Sequence, residues 1–245
     1  WKEGWPVILE GNETVALNYP VPLITTKQVN NPFSGSFTFK DEFINPQLND
    51  RWIFLRTVRE NWYNLTEKKG ALALRLRPEK LQGKGNPSFV AHRQQHLSGE
   101  ASTSVFFTPS SSEEKSGLVI FQNEKHYYLL CKSVKNNNPV IEVYEGPGQK
   151  DSIPVLLASY LLKSNKTVLD LEISFGKEDY MFWYKEGKGS WNQLLNGPVS
   201  GKWLSTSTAG GFVGTVFALY ATSSGKISQA KAFFNWFQYK GDDNR

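Results

Sequence analysis

The stretch Ser88-Phe-Val-Ala-His-Arg-Gln-Gln-His96 concentrates side chains that could do chemistry. Two imidazoles, a guanidinium and two amides lie within five residues: His92, Arg93, Gln94, Gln95 and His96. The segment before them has strand character, and strand alternation predicts that His92 and Gln94 share one face while Arg93 lies on the other. Such a cluster suits either a polar binding surface or a buried polar junction in which every donor has a partner.

Metal binding and hydrolysis are not the favoured chemistries of this cluster. His92 and His96 are four residues apart, which is a metal-ligand spacing on a helix, but on a strand the two residues lie about 13 Å apart. Paired carboxylates could hydrolyse a glycosidic bond. The acidic candidates, however, alternate with core residues as solvent-facing positions do: Asp41, Glu42, Glu100, Asp170 and Glu172. We therefore expect no catalytic residue and no cofactor.

Exposed aromatic rings are the second kind of candidate. Trp62, Trp191 and Trp203 lie in turn-rich surroundings, where a flat ring can stack on a sugar or on a neighbouring domain. The segment Ala209-Gly-Gly-Phe-Val-Gly214 places Phe212 between residues that turn tightly, beside the start of a strand. Chemistry alone leaves two roles open for this ring, a plug of the core or a probe into a partner.

The elements that position these residues are predicted to be strands. Aromatic residues make up 14% of the 245-residue chain, and strand-like runs follow one another about every ten residues from Gly35 onwards, separated by turns rich in Gly, Pro and Asn. Alternation is clear at Leu169, Leu171 and Ile173, which predicts one buried and one solvated face. The fold class is therefore all-β, a sandwich of two antiparallel sheets over 34–245. Residues 1–33 read as a connecting arm.

Composition excludes some partners. The net charge of +5 is spread over lysines interspersed with acidic residues, so no nucleic-acid surface is predicted. The sequence pattern predicts neither a membrane span nor a signal peptide within these residues. The one cysteine, Cys131, lies in an apolar run and is expected in the core. Because Trp1 opens directly into folded-looking sequence, we expect the natural start to lie further upstream.

The ordered motifs resemble one family. They are Trp5-Pro-Val-Ile8, Phe39-Lys-Asp-Glu-Phe43, Trp52-Ile-Phe-Leu-Arg56, Val90 to His96, Ser116-Gly-Leu-Val119, Gly210-Gly-Phe-Val-Gly214 and Phe234-Asn-Trp-Phe-Gln-Tyr239. Together they resemble the C-terminal concanavalin A-like sandwich, or jelly roll, of glycoside hydrolase family 43 β-xylosidases. The resemblance implies an accessory domain of a xylosidase or arabinofuranosidase-like enzyme of xylan breakdown. The implied partner is a catalytic five-bladed β-propeller that carries the catalytic acids, acting on a xylo-oligosaccharide or an arabinoside.

The same resemblance implies roles for named residues. Phe212 matches a ring that reaches across to the propeller and lines the mouth of the sugar pocket, with Gly210 and Gly211 as hinge and spacer. The segment from His92 to His96 is expected near the interface between the two domains. Relatives often carry Asp-x-Asp in the final strand, where this chain has Phe233 and Asn235. A structural calcium ion therefore stays open but lacks those two carboxylates.

Further alternatives remain open at this point. An independent carbohydrate-binding module would use the tryptophans as its platform. A homo-oligomer is compatible with the sequence. A bacterial periplasmic or secreted location is favoured, with a cytoplasmic one as the alternative.

Overall fold

The structure, a computed structural model, describes residues 3–5, 33, 35–176 and 178–243. The chain divides into two units, Trp1–Pro32 and Phe33–Arg245. The connecting arm predicted for residues 1–33 lies almost wholly outside the described residues and stays a prediction. The second unit is the sandwich.

Strands account for nearly all regular structure of the second unit. In chain order they are β1 (Phe37–Asp41), β2 (Ile53–Phe54), β3 (Tyr63–Asn64), β4 (Leu72–Arg75), β5 (Ser88–Arg93), β6 (Ser98–Phe106), β7 (Lys115–Phe121), β8 (Tyr127–Lys135), β9 (Asn138–Glu145), β10 (Val155–Leu161), β11 (Leu169–Gly176), β12 (Asp179–Glu186), β13 (Asn192–Gln193), β14 (Val199–Ser200), β15 (Val216–Thr222) and β16 (Lys231–Asp242). A short 3₁₀ helix (Gly201–Leu204) and one turn of α-helix, α1 (Thr206–Ala209), separate β14 from β15.

The strands form two antiparallel sheets. The nine-stranded sheet has the order β13-β12-β11-β6-β16-β4-β3, with β1 added beside β16 and β14 beside β12. The seven-stranded sheet has the order β10-β9-β8-β7-β15-β5-β2. Some neighbouring strands follow one another in the chain, as in β7 to β10, whereas pairs such as β6 with β16 and β7 with β15 join distant parts of the chain and close the sandwich. The predicted all-β, two-sheet fold is confirmed.

The core lies between the two sheets and consists of the buried side chains at alternate positions of each strand. In β11 the side chains of Leu169, Leu171 and Ile173 are buried while those between them are only partly so. From the other sheet, Leu118 and Ile120 of β7 join the same apolar cluster. Because side chains alternate across a strand, these residues face one another across the sandwich and exclude water from its centre.

The seven-stranded sheet is apolar on its outer face as well. Phe89, Val119, Leu129 and Tyr220 form a second cluster on that face, partly covered by Leu81 from the loop that follows β4. Cys131 belongs to this cluster and is a buried free cysteine, as its apolar run predicted. A continuous apolar run in β8 is the sequence mark of a strand covered on both faces.

One strand boundary and one element type differ from the sequence prediction. The strand expected from Phe212 begins only at Val216, because two residues with positive φ, Gly210 and Gly211, turn the chain away from the sheet. The sequence also shows two weak helical patterns, at 193–195 and at 202–205. The first forms no helix, since Asn192–Gln193 pairs with β12 as β13, and the second coincides with the 3₁₀ helix.

Candidate functional site

The two histidines of the sequence cluster are buried on either side of one structural junction. His92 faces the core and stacks on Phe39, with ring centroids 4.7 Å apart. His96 follows the strand and is also buried. Both imidazoles contact the ring of Tyr239 in β16, at 4.9 and 5.6 Å between centroids. The histidines therefore join the two sheets as a buried junction, in which Nδ1 of His92 has no hydrogen-bond partner among the described residues.

The hydrogen bonds of Tyr239 indicate which ring nitrogen of His96 accepts and which donates. The Tyr239 hydroxyl accepts from the backbone N–H of Gln95 at 2.9 Å and of His96 at 3.1 Å. With both lone pairs used, it donates its proton to Nδ1 of His96, 2.9 Å away. Nε2 of the imidazole then carries the ring proton and donates to the Gly35 carbonyl at 2.9 Å. His96 is thus a structural residue whose two ring nitrogens are both hydrogen-bonded.

Gln94 ties this junction to the loop that carries Phe212. Its backbone N–H donates to the Thr215 carbonyl, and its side-chain Nε2 donates to the His96 carbonyl, each at 3.1 Å. Its Oε1 accepts from the hydroxyls of Tyr180, at 3.0 Å, and Thr215, at 2.6 Å. The other two polar residues of the cluster are exposed: Arg93 on the outer face, and Gln95 as acceptor for Arg51.

The Gly-Gly-Phe loop is held on both sides of its tip. Asn123 Nδ2 donates to the Ala209 carbonyl at 2.9 Å, just before Gly210. Gln122 Nε2 donates to the Val213 carbonyl at 2.6 Å, just after the tip. Between these two anchors the Phe212 side chain is fully exposed, at 104%. The core-plug alternative for Phe212 is therefore wrong, and its role as a probe into a partner stays a prediction.

Two exposed apolar side chains, which we call the apolar rim, border a depression that the Phe212 loop also lines. Leu97 is 80% exposed and Val213 is 58% exposed. Both border a depression of about 400 Å³ whose lining includes Gln94, Tyr180 and Thr206. Exposed large apolar side chains grouped at one end of a sandwich indicate a surface that another protein surface covers.

Two of the three tryptophans predicted to stack on sugars do not present their rings. Trp62 is 1% exposed and its indole N–H donates to Asn86 at 3.0 Å, so its assignment as a sugar platform is wrong. Trp203 is packed against His126, with centroids 4.5 Å apart, and supports the turn that anchors the loop. Trp191 is 40% exposed, with the Lys185 ammonium 5.1 Å above its ring.

Because His92 is buried, the folded state is less stable at acidic pH. Desolvation, with a smaller contribution from the Arg51 guanidinium, lowers the pKa of His92 from 6.5 to about 4. The unfolded chain therefore binds more protons between these values, so stability is complete above about pH 6.5 and falls by about 3 kcal/mol towards pH 4. Urea unfolding across this range should show the loss, and His92→Leu should flatten it. An unchanged slope in the variant would contradict the assignment.

The described residues contain neither a metal-binding cluster nor a helix that could span a membrane. Within them, no group of three or more His, Cys, Asp or Glu side chains is arranged to hold a metal ion. No helix there is long and apolar enough to cross a membrane.

The two-sheet fold defines a class of protein, the concanavalin A-like β-sandwich. Residues 40–240 match the family model of the β-xylosidase C-terminal concanavalin A-like domain. The chain belongs to this family.

Curated and solved relatives agree with this membership. The chain is 32% identical over 240 residues to a xylosidase/arabinosidase of Butyrivibrio fibrisolvens, covering 97% of this chain and 44% of that protein. It is 27% identical to a non-reducing end α-L-arabinofuranosidase of Bacteroides ovatus, covering 82% and 37%. A solved xylan β-1,4-xylosidase from Bacillus halodurans superposes with a TM-score of 0.74 at 25% identity, covering 82% and 38%. The chain thus spans less than half the length of these relatives.

Several residues of the site were not found from the sequence. Gln122 and Asn123 anchor the loop. Tyr180 is hydrogen-bonded to Gln94, and Tyr239 is hydrogen-bonded to His96. An amide pair directly after a strand is ordinary turn composition, and both tyrosines fit ordinary strand alternation. Their roles depend on pairing between strands that are far apart in sequence, which single-strand patterns do not contain.

Proposed function

We propose that this chain is the accessory domain of a xylosidase or arabinofuranosidase, docked on a catalytic propeller whose sugar pocket it helps to close. The observation that carries the proposal is the fully exposed Phe212 ring on a loop anchored at both sides. Large apolar side chains that are exposed together, here Phe212, Val213 and Leu97, favour a surface that a partner covers. Because the anchors fix the loop before docking, little ordering entropy is lost when the ring is covered.

The apolar rim supplies the docking surface in this proposal. Val213 adjoins Phe212 in the chain, Leu97 borders the same depression as Val213, and in this proposal all three are covered together. A ring placed at the mouth of a sugar pocket limits the depth of the pocket and excludes water from the bond to be cleaved. The chain would then act on xylo-oligosaccharides or arabinosides through the active site of its partner.

Docking is tested by placing a charge on the rim. In a protein that carries this chain after its propeller, Leu97→Asp should lower the unfolding temperature of the sandwich by about 3–10 °C, because a carboxylate would be buried without a partner. In the chain alone the same substitution should have little effect. Calorimetry of both proteins makes the comparison.

Ile227→Asp is the matched control. Ile227 is also highly exposed, but it follows β15, whereas the Phe212 loop precedes that strand. It should leave both unfolding temperatures unchanged. Docking through the rim is refuted if Leu97→Asp behaves like the control in the longer protein.

A further inference from the structure

The seven-stranded sheet has one long edge strand. β10 (Val155–Leu161) lies at the end of this sheet, and no described strand pairs with the side of β10 that faces away from β9. We call that side the open edge. The other edge strands have features that limit pairing with further chains: β2, β3, β13 and β14 have two residues each, and β1 contains Lys40 and Asp41. β10 has seven residues and no charged side chain.

Apolar side chains are exposed along β10. Val155, Leu156, Tyr160 and Leu161 are all exposed, Leu161 at 70%, and Ile153 just before the strand is exposed at 82%. Charged side chains on an edge strand oppose its pairing with another strand, and here there are none. An uncharged edge strand that also exposes apolar side chains favours association through the strand itself.

The open edge also presents backbone donors and acceptors. The N–H of Leu162 donates to the Pro139 carbonyl at 2.9 Å, so the backbone of Leu162 is directed towards β9. Because directions alternate along a strand, the backbone of Tyr160 is directed towards β9, whereas those of Ser159 and Leu161 point away from it. An extended chain that adds to the open edge would bond the N–H and C=O groups of Ser159 and Leu161.

The regular part of β10 is centred on Tyr160. The ladder with β9 shifts its register between Leu156 and Ala158, so the regular stretch runs from Ala158 to Leu162. An antiparallel pairing of this stretch with the same stretch of a second copy sets Tyr160 opposite the partner's Tyr160. Ser159 then lies opposite the partner's Leu161, and both backbones point towards each other, as a hydrogen-bonded pair requires.

We propose that β10 pairs with β10 of a second copy of this chain, antiparallel and about a two-fold axis at Tyr160, so that the two seven-stranded sheets become one continuous sheet. A two-fold interface needs a patch that complements itself, and the stretch centred on Tyr160 does so in backbone direction and in the absence of charge. The two open edges with their apolar side chains cover on the order of 1,000 Å² in total, near the lower limit for a specific interface. The dimer is therefore reversible.

Sedimentation velocity on the 245-residue chain tests the dimer. Between about 2 and about 200 μM, at about 150 mM salt, the average mass should rise from one chain towards two. Leu161→Lys should weaken the dimer at least about tenfold, because it sets two ammonium groups diagonally across the axis. Ile227→Lys is the control, since Ile227 is also highly exposed but lies after β15, and it should leave the dimer unchanged.

A chain of single mass at every concentration overturns the proposal. Hydrogen exchange of the Ser159 and Leu161 amides then tells why. Fast exchange would show that the open edge stays unpaired, and slow exchange in the monomer would show that another part of the same chain covers it. Equal weakening by Leu161→Lys and Ile227→Lys would show a general effect of charge and reject β10 as the interface.

Cross-linking tests the register. Directly opposite residues of a pair that is not hydrogen-bonded have Cα atoms about 4.5 Å apart, which a disulfide can join, whereas diagonal neighbours are about 7–8 Å apart. Tyr160→Cys should therefore form a covalent dimer in oxidised glutathione at least about tenfold faster than Leu161→Cys. The native Cys131 is buried, so the parent chain should form none. Equal rates for the two variants, or no covalent dimer of Tyr160→Cys, contradict the two-fold register.

The proposal does not depend on docking at the Phe212 loop. That loop precedes β15, which is separated from β10 by β7, β8 and β9 in the sheet. Phe212→Ala should therefore leave the sedimentation of the chain unchanged. Loss of the dimer in Phe212→Ala would place the contact between copies at that loop and reject β10, so the two proposals fail separately.

Discussion

Phe212→Ala, in an enzyme that carries this chain after its propeller, should lower kcat/KM for a small aryl xyloside or arabinoside by about 10- to 100-fold. Covering a phenylalanine side chain contributes about 1.5–3 kcal/mol. Each 1.36 kcal/mol of transition-state stabilisation corresponds to about a tenfold change in rate. Steady-state kinetics with parent and variant enzymes measure the effect directly.

Stability separates this effect from unfolding. The Phe212 side chain is fully exposed in the chain, so its truncation should change the free energy of unfolding of the isolated sandwich by less than about 0.5 kcal/mol. Ile227→Ala, at another exposed apolar position, should alter neither the kinetics nor the stability. Normal kinetics in Phe212→Ala would end the pocket-closing proposal, and a large loss of sandwich stability would place the ring in a core.

Gly241→Ala should destabilise the sandwich by at least about 3 kcal/mol. A Cβ atom at this position would lie 1.8 Å from Nδ1 and 2.3 Å from Cγ of His96. The imidazole cannot move aside cheaply, because it is hydrogen-bonded to Tyr239 and to the Gly35 carbonyl. Overpacking of this severity exceeds what side-chain adjustment relieves. Denaturant unfolding of the parent and the variant gives the difference.

A double variant tests the cause. His96→Ala removes the ring that the new methyl group would meet, so adding Gly241→Ala to it should cost far less than Gly241→Ala alone. Gly176→Ala is the control, because a Cβ there meets no atom within 4 Å. Additive costs for the His96 and Gly241 substitutions would show that the clash is not the cause.

The fold was predictable because its evidence is local and repeated. Alternating apolar residues, such as Leu169, Leu171 and Ile173, indicate for each strand which face is buried. Many strands of this kind in one chain indicate two packed sheets. Strand edges were less predictable, as at Val216, because the glycines before it have backbone freedom that composition does not locate. Packing partners were not predictable at all, since they come from pairing at long range.

The candidate sites show the same division. Phe212 was found from its motif, which is contiguous. The fate of Trp62 was missed because a turn-rich neighbourhood says nothing about the Asn86 side chain that meets its indole.

The two anchors of the Phe212 loop have an evolutionary consequence. Gln122 and Asn123 belong to the turn between β7 and β8. The distance by which the Phe212 ring projects from the sandwich is therefore set by a hairpin of the sandwich and not by a catalytic domain. A residue inserted in or deleted from that hairpin would raise or lower the ring without touching an active-site residue. Under the docking proposal, substrate length preference could then diverge between related enzymes through changes in a sandwich turn alone, and exchanging that turn would transfer the preference.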